Sequence, residues 1–376
     1  MEIEIFELER RQSLWENVVK LNLTESGIHP YTLQELLQED EVSDLSNLRL
    51  GYGQTNGSIE LREAISNLYP PSDLNNIMVT NGSAEANFIS VWSTLERDDE
   101  LILMLPNYMQ IWGLARSFGI KVVPLYLKEE LNWQPDISDL ENLVTAKTKM
   151  IAVCNPNNPT GSVLTETAIA EIVRVAKNND LWIHSDEVYR GAELDEVEGP
   201  SFWGRHEKVV IACGLSKAYA LPGLRIGWLI GPKPFIEKAW AYSDYTSITT
   251  NVISNRVATL VLEPSLRARI LTRNRNYLKE NVKIIEAWVN KHSNIFSFIP
   301  PKAGGVAFIK YDSSILTLNS KEFTSRLRDE KSVLIVGGDC FGMEHFIRIG
   351  IGSERDYLNE GLDLITEFLA EFTSVS

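Results

Sequence analysis

From Ile77 onward, short apolar runs alternate with stretches of helical periodicity. The runs are IMVT (77–80), ELILML (100–105), IKVVPLY (120–126), MIAVCNP (150–156), LWIHSDEV (181–188), KVVIACGLS (208–216) and RIGWLIGP (225–232). Amphipathic stretches at 83–96, 107–118 and 165–179 lie between several of them. Continuous apolar strands separated by helices predict an α/β domain with a mostly parallel seven-stranded sheet sandwiched by helices. Ligands of such sheets sit where strands end and loops begin. After Pro264 the texture changes. Residues 265–292 read as one long helix, with Leu271, Leu278 and Ile285 at seven-residue spacing and Ile270, Tyr277 and Ile284 beside them. A short helix near 320–330, VLIVGGDCFG, HFIRIGIG and a terminal helix from about Glu354 follow. They predict a smaller α+β domain. The expected division is 42–272 for the large domain, with 1–41 and 273–376 forming the small one.

The 376 residues are 44% hydrophobic and 23% charged, which fits an ordinary globular chain. The 36 basic and 51 acidic residues leave a net charge of −15 and argue against a nucleic-acid partner. Cys154, Cys213 and Cys340 are widely spaced and form no CxxC, so neither a disulfide framework nor a metal site is expected. The start, MEIEIFELER, lacks the apolar stretch of a signal peptide. No apolar run reaches the ~18 residues of a membrane helix. The expectation is a cytoplasmic enzyme without a membrane partner.

Several residues need unusual surroundings. Lys217 lies between apolar VVIACGL and LPGLRIGWLI, as a reactive amine requires, because an amine nucleophile must be neutral. Asp186 lies inside an apolar run and needs a partner. TNGSAEAN (80–87) follows a strand and opens a helix, so the free N–H groups of Gly82, Ser83 and Ala84 can receive an anion. Arg225 supplies a planar fork for phosphate oxygens. Arg348, amid isoleucines in HFIRIGIG, needs an anion or an internal salt bridge.

Four motifs occur in one order: NPNNPTG (155–161), HSDEVY (184–189), GLSKAYALPGLRIG (214–227) and FIRIG (346–350). Together they resemble the fold-type-I pyridoxal-phosphate enzymes, the aspartate aminotransferase superfamily, from about Leu21 to the C-terminus. The resemblance implies the aspartate aminotransferase fold and pyridoxal 5'-phosphate as cofactor. Lys217 would form the Schiff base and shuttle the proton at substrate Cα. Asp186 would face the pyridine nitrogen, and Tyr189 and Asn158 the 3-oxygen. Tyr108 would stack on the ring. Ser216 and Arg225 would join Gly82, Ser83 and Ala84 at the phosphate. Arg348 would hold the substrate α-carboxylate, with Asn158 beside it. Tyr52 would reach the phosphate of the neighbouring subunit, implying a homodimer with shared sites. Gly51, Gly53 and Gly57 mimic a dinucleotide loop, but their spacing is wrong and no strand precedes them. Gly214 stands where many members carry a phosphate-binding serine. Asn157 reads as a structural turn residue.

The cofactor does not set the reaction. Glu25-Ser26-Gly27-Ile28-His29-Pro30, followed by Thr-Leu-Gln-Glu-Leu and preceded by FELER, is similar to capreomycidine synthase-like cyclases of hydroxylated arginines. By that resemblance Gly27 approaches the substrate and His29 lies near the site entrance. A helix-start position beside Pro30 is the other reading of His29. Glu9, Glu25 and Asp244 are the candidate carboxylates for a guanidinium, Asp244 from a loop facing the other subunit. A β-hydroxyl would lead to a six-membered ring of capreomycidine type, and a γ-hydroxyl to a five-membered ring of enduracididine type. An aminotransferase using 2-oxoglutarate is the alternative. A cofactor-sensing binding protein would carry a basic DNA-binding extension, and none fits before Leu21.

Overall fold

The computed structural model describes residues 3–195 and 197–373. The large sheet has eight strands. Their spatial order is Ile77–Thr80, Gly227–Ile230, Val209–Gly214, Trp182–Asp186, Thr148–Cys154, Glu100–Leu105, Lys121–Lys128 and Gln134–Pro135. The five from Val209–Gly214 to Lys121–Lys128 pair in parallel. Four of the strands are buried along their whole length on both faces, as their apolar composition requires.

Seven of these strands correspond to the seven apolar runs. The eighth, Gln134–Pro135, pairs antiparallel with the end of Lys121–Lys128 and is too short to leave a pattern in the sequence. Gly227–Ile230 runs antiparallel to both of its neighbours. The connection from Gly214 holds only a single tight turn at Pro222–Leu224. A parallel return needs a long crossover, usually a helix, so the chain reverses instead. That reversal brings Gly227 beside Gly214 and Thr80.

The smaller sheet is antiparallel, in the order Phe296–Phe298, Val306–Tyr311, Phe346–Gly350 and Val336–Gly337. Leu21–Asn22 pairs in parallel with Val333–Leu334. The amide of Gly350 donates to the Leu23 carbonyl, so the N-terminal segment lies against this sheet.

The helix Pro264–Lys291 buries Leu271, Leu278 and Ile285, the seven-residue series. It also buries two polar residues at that same spacing. Asn274 donates to the Ala218 carbonyl, and Asn281 to the carbonyls of Ile351 and Ser353. One rigid helix thus ties the loop after the large sheet to the end of the small one. Residue 272 falls within this helix.

Gly227 faces the turn at Gly82. A Cβ added there would stand 2.4 Å from the Gly82 carbonyl carbon and 2.5 Å from the Ser83 amide nitrogen. Both obstacles are backbone and cannot swing aside. Gly227→Ala is therefore expected to destabilise the fold by about 1–3 kcal/mol through overpacking. Thermal unfolding checks this, and an unchanged melting temperature would contradict the packing.

Candidate active site

Five connections leave the same edge of the large sheet. Ser83 and Ala84 follow Ile77–Thr80, Tyr108 follows Glu100–Leu105, and Asn158 follows Thr148–Cys154. Asp186 ends its strand, and Ser216 and Lys217 follow Val209–Gly214. Arg348 comes from the small sheet, Glu25 and Ser26 from the N-terminal segment, and Leu8, Glu9, Gln12 and Glu16 from the first helix and its end. Together they line one cavity of about 240 Å³.

One wall of the cavity attracts anions. The helix Ser83–Thr94 begins at Gly82 with no side-chain cap, leaving its first N–H groups free. Gly82 has φ +86°, and a Cβ there would stand 2.4 Å from a terminal guanidinium nitrogen of Arg225. Glycine therefore lets the Arg225 fork close over the helix N-terminus. Ser216 lines the same cavity. At Gly214 a Cβ would stand 2.8 Å from the Ile226 carbonyl oxygen. The chain reversal leaves no room for a serine there.

Asp186 is buried and lines the same cavity. Its carboxylate accepts from the Asn87 side-chain amide at 2.9 Å and from the Val188 amide at 3.1 Å. Burial raises its pKa, and these hydrogen bonds oppose the shift. Tyr189, also buried, donates to Ser26 Oγ at 2.9 Å, and burial holds its phenol protonated. The Lys217 side chain is 26% exposed and its Nζ lies 3.8 Å from a Glu25 carboxylate oxygen. Gly27 runs close by, since a Cβ on it would stand 3.7 Å from Lys217 Cδ.

Arg348 is only 1% exposed. It donates to Asn158 Oδ1 at 2.9 Å and to the Thr24 carbonyl, while its Nε has no partner. Among the described residues no carboxylate pairs with it, so the internal salt bridge is absent. Asn157 is structural, as its place in the turn predicts. It donates to the Pro106 carbonyl and accepts from Thr160.

Another part of the lining is acidic, formed by Glu9, Glu16 and Glu25. Glu9 accepts a short hydrogen bond from Tyr108. Burial, and then this carboxylate, push the Tyr108 phenol well up. Phe6 packs edge-on against the Tyr108 ring at 5.0 Å. Glu16, Gln12, Ser26 and Asn87 escaped the sequence reading. Glu9, Gln12 and Glu16 are spaced three and four apart, the signature of one helix face, and Asn87 lies one turn beyond Ser83.

Three candidates are not brought to the cavity of this protomer. His29 stacks on Tyr277 and lies 3.6 Å from Glu354, so its ring is taken up away from the cavity. Tyr52 is 87% exposed. Asp244 is exposed at the end of the helix Lys233–Ser243. A larger hollow between Asp44–Leu48 and Val252–Thr259 carries none of the motif residues, though it borders Gly53 beside Tyr52.

The family model of aminotransferase class I and II matches residues 19–365. Capreomycidine synthase of Streptomyces vinaceus is 26% identical over 93% of this chain and 90% of its own length. Aspartate aminotransferase of Thermotoga maritima is 27% identical over 93% and 91%. The structure of a pyridoxal-phosphate-dependent aminotransferase from Streptococcus suis superposes with a TM-score of 0.93, 32% identity and full coverage of both chains. The cofactor is pyridoxal phosphate. The residues present fit it. The uncapped helix with Arg225 suits a phosphate, Asp186 is a buried carboxylate without a contacting cation, and Lys217 offers an amine in the same cavity. No described helix is long and apolar enough to cross a membrane. The chain is an enzyme of the class I and II aminotransferase family, with the aspartate aminotransferase fold.

Proposed function

We propose that this enzyme dehydrates a hydroxylated L-arginine and closes it into a cyclic guanidino amino acid. The observation that carries this reading is the acidic wall. Glu9, Glu16 and Glu25 line the cavity, and neither Glu9 nor Glu16 has a basic partner among the described residues. Carboxylates around a ligand-sized space suit a guanidinium, which they can bind with paired charge-assisted hydrogen bonds. The overall likeness to capreomycidine synthase supports the same substrate class.

Bound pyridoxal phosphate supplies an electron sink for negative charge at substrate Cα. The roles proposed for the chain's own residues are these. Gly82, Ser83, Ala84, Ser216 and Arg225 hold the phosphate. Asp186 keeps a proton at the ring nitrogen, Tyr108 covers the ring, and Tyr189 and Asn158 face its 3-oxygen. Lys217 binds the cofactor and moves the proton at Cα. Arg348, with an unpartnered buried Nε, takes the α-carboxylate. The acidic wall orients the guanidinium so that its nitrogen replaces the departing hydroxyl, with net loss of one water.

The second reading is an aminotransferase, favoured by the overall likeness to the Streptococcus suis structure. It uses the same cofactor pocket and differs in the fate of the Cα proton. Mass spectrometry of products from β- and γ-hydroxyarginine, with and without 2-oxoglutarate, decides between them. Loss of water without amine transfer is expected. Amine transfer that requires 2-oxoglutarate would establish the second reading.

Selectivity tests the acidic wall. A charge-assisted hydrogen bond is worth about 1.5–3 kcal/mol, so kcat/KM for hydroxyarginine should exceed that for hydroxycitrulline at least about tenfold. Glu9→Gln and Glu16→Gln should narrow this ratio, whereas Arg348→Ala should lower both substrates alike. Equal wild-type values would end the guanidinium reading.

We also propose a homodimer. Leu50, Tyr52, Tyr245 and Ile248 are exposed apolar side chains, and Trp240 Nε1 donates to Thr55 Oγ1, which brings the Tyr52 and Asp244 segments together. A second copy covers this face and receives Tyr52 at its phosphate site. Sedimentation should give a dimer at assay concentration, and Tyr52→Ala should weaken cofactor binding. A fully active monomer would refute shared sites.

A further inference from the structure

We propose that Asn87 is a positioning residue: its side-chain amide, locked by His184 and Gln110, holds the Asp186 carboxylate ionised and aimed at the cofactor ring. This rests on the assignment of Asp186 to the ring nitrogen. It adds Asn87, His184 and Gln110, which act through Asp186.

The arrangement follows from two periodicities. His184 and Asp186 are two apart on the strand Trp182–Asp186, so they share a face. Asn87 and Ser90 are three apart on the helix Ser83–Thr94, so they share a face as well. The two pairs meet. Ser90 Oγ lies 2.9 Å from His184 Nδ1, His184 Nε2 lies 3.0 Å from Asn87 Oδ1, and Asn87 Nδ2 lies 2.9 Å from Asp186 Oδ2. All four side chains are buried.

The direction of every bond in this chain is determined. Asn87 Nδ2 also donates to Gln110 Oε1 at 3.2 Å, and Gln110 in turn donates to the Ala84 carbonyl. Flipping the Asn87 amide would set its oxygen against a carboxylate oxygen and an amide oxygen, so that orientation is excluded. Asn87 Oδ1 must then accept, and His184 Nε2 must carry a proton. His184 Nδ1 is left to accept from the Ser90 hydroxyl. Burial lowers the His184 pKa to about 4, so the ring stays neutral and its tautomer constant across the working range. Each group has one role, and the last donor in the line points at Asp186.

The other groups around Asp186 do not replace that donor. The Val188 amide makes the second hydrogen bond. Lys217 acts on the carboxylate through charge alone. Cys154 and Cys213 on the flanking strands, and Tyr189 beyond the turn, are neutral neighbours whose burial keeps them protonated. Glu187 points the other way, accepting from Ser185, Ser201 and the Phe202 amide, and burial raises its pKa to about 7. Without Asn87 the buried carboxylate keeps one hydrogen bond, and desolvation pushes its pKa upward. It then takes up its proton at a higher pH, and the charge that holds the ring nitrogen protonated is lost.

The test compares Asn87→Ala, His184→Leu, His184→Gln and Asp186→Asn with wild type as holoenzymes. Three quantities are read: the pH dependence of the bound cofactor's visible absorbance, cofactor affinity, and the acidic limb of kcat/KM. Asn87→Ala should move the spectral transition and the acidic limb up by about one pH unit and weaken cofactor binding about tenfold, the value of one hydrogen bond to a charged group. His184→Leu, which frees the amide to turn, should shift both in the same direction. His184→Gln, whose amide can still donate to Asn87, should restore them. A merely structural role would lower the melting temperature and leave the transition in place. The proposal is overturned if Asp186→Asn changes the absorbance while Asn87→Ala and His184→Leu leave the transition where it is in wild type. If Asp186→Asn itself leaves absorbance and affinity unchanged, the assignment of Asp186 fails, and the role of Asn87 fails with it. Should Asn87→Ala not fold, the two His184 variants decide the question alone.

Discussion

The site depends on a cation buried without a counter-charge. Arg348 lies deep in the protein, and no carboxylate of the described residues meets it. Burying an unpaired charge costs several kcal/mol. Two hydrogen bonds offset part of that cost: one to Asn158 beside the large sheet and one to the Thr24 carbonyl of the N-terminal segment. Arg348 itself sits in the small sheet. The guanidinium thus joins the small sheet to two other parts of the chain, and its buried Nε has no protein partner. Asp186 is the counterpart of opposite sign, buried with donors but no contacting cation. A cavity between two such groups stores stability that only a ligand of matching charge returns.

Two constraints bring those groups into register. The first is the close approach of backbones at Gly82, Gly214 and Gly227, which sets Arg225 over a helix N-terminus. The second is the helix Pro264–Lys291, whose Asn274 and Asn281 grip the carbonyls after Lys217 and after Arg348. Seven residues along a helix span about 10.5 Å. That helix therefore sets the spacing between the loop that follows Lys217 and the segment that follows Arg348.

Two of the carboxylates on which the proposed cyclisation rests lie elsewhere, in the first helix and its end. Glu9 and Glu16 come from there and line the cavity, with Glu9 bonded to Tyr108.

The sequence by itself determined seven of the eight strands of the large sheet, the long helix and which polar residues inside apolar runs needed partners. Buried parallel strands must be apolar throughout, and a buried helix face must repeat near every seventh residue. Both demands are local, so the runs from 77 to 232 and the series Leu271, Leu278, Ile285 are legible one segment at a time. Lys217, Asp186 and Arg348 stood out because polar groups inside apolar runs need partners. Tertiary structure alone decided which partners they have. The bond between Asn87 and Asp186 joins residues 99 apart, and that between Asn158 and Arg348 joins residues 190 apart. No local pattern records such pairings. The pattern could not show that Gly214 has no room for a side chain, nor that His29 turns to Tyr277 instead of the cavity. Nor could it show that Glu16 shares a wall with Glu9 and Glu25. Those outcomes depend on where distant segments pack, and packing is a property of the whole chain.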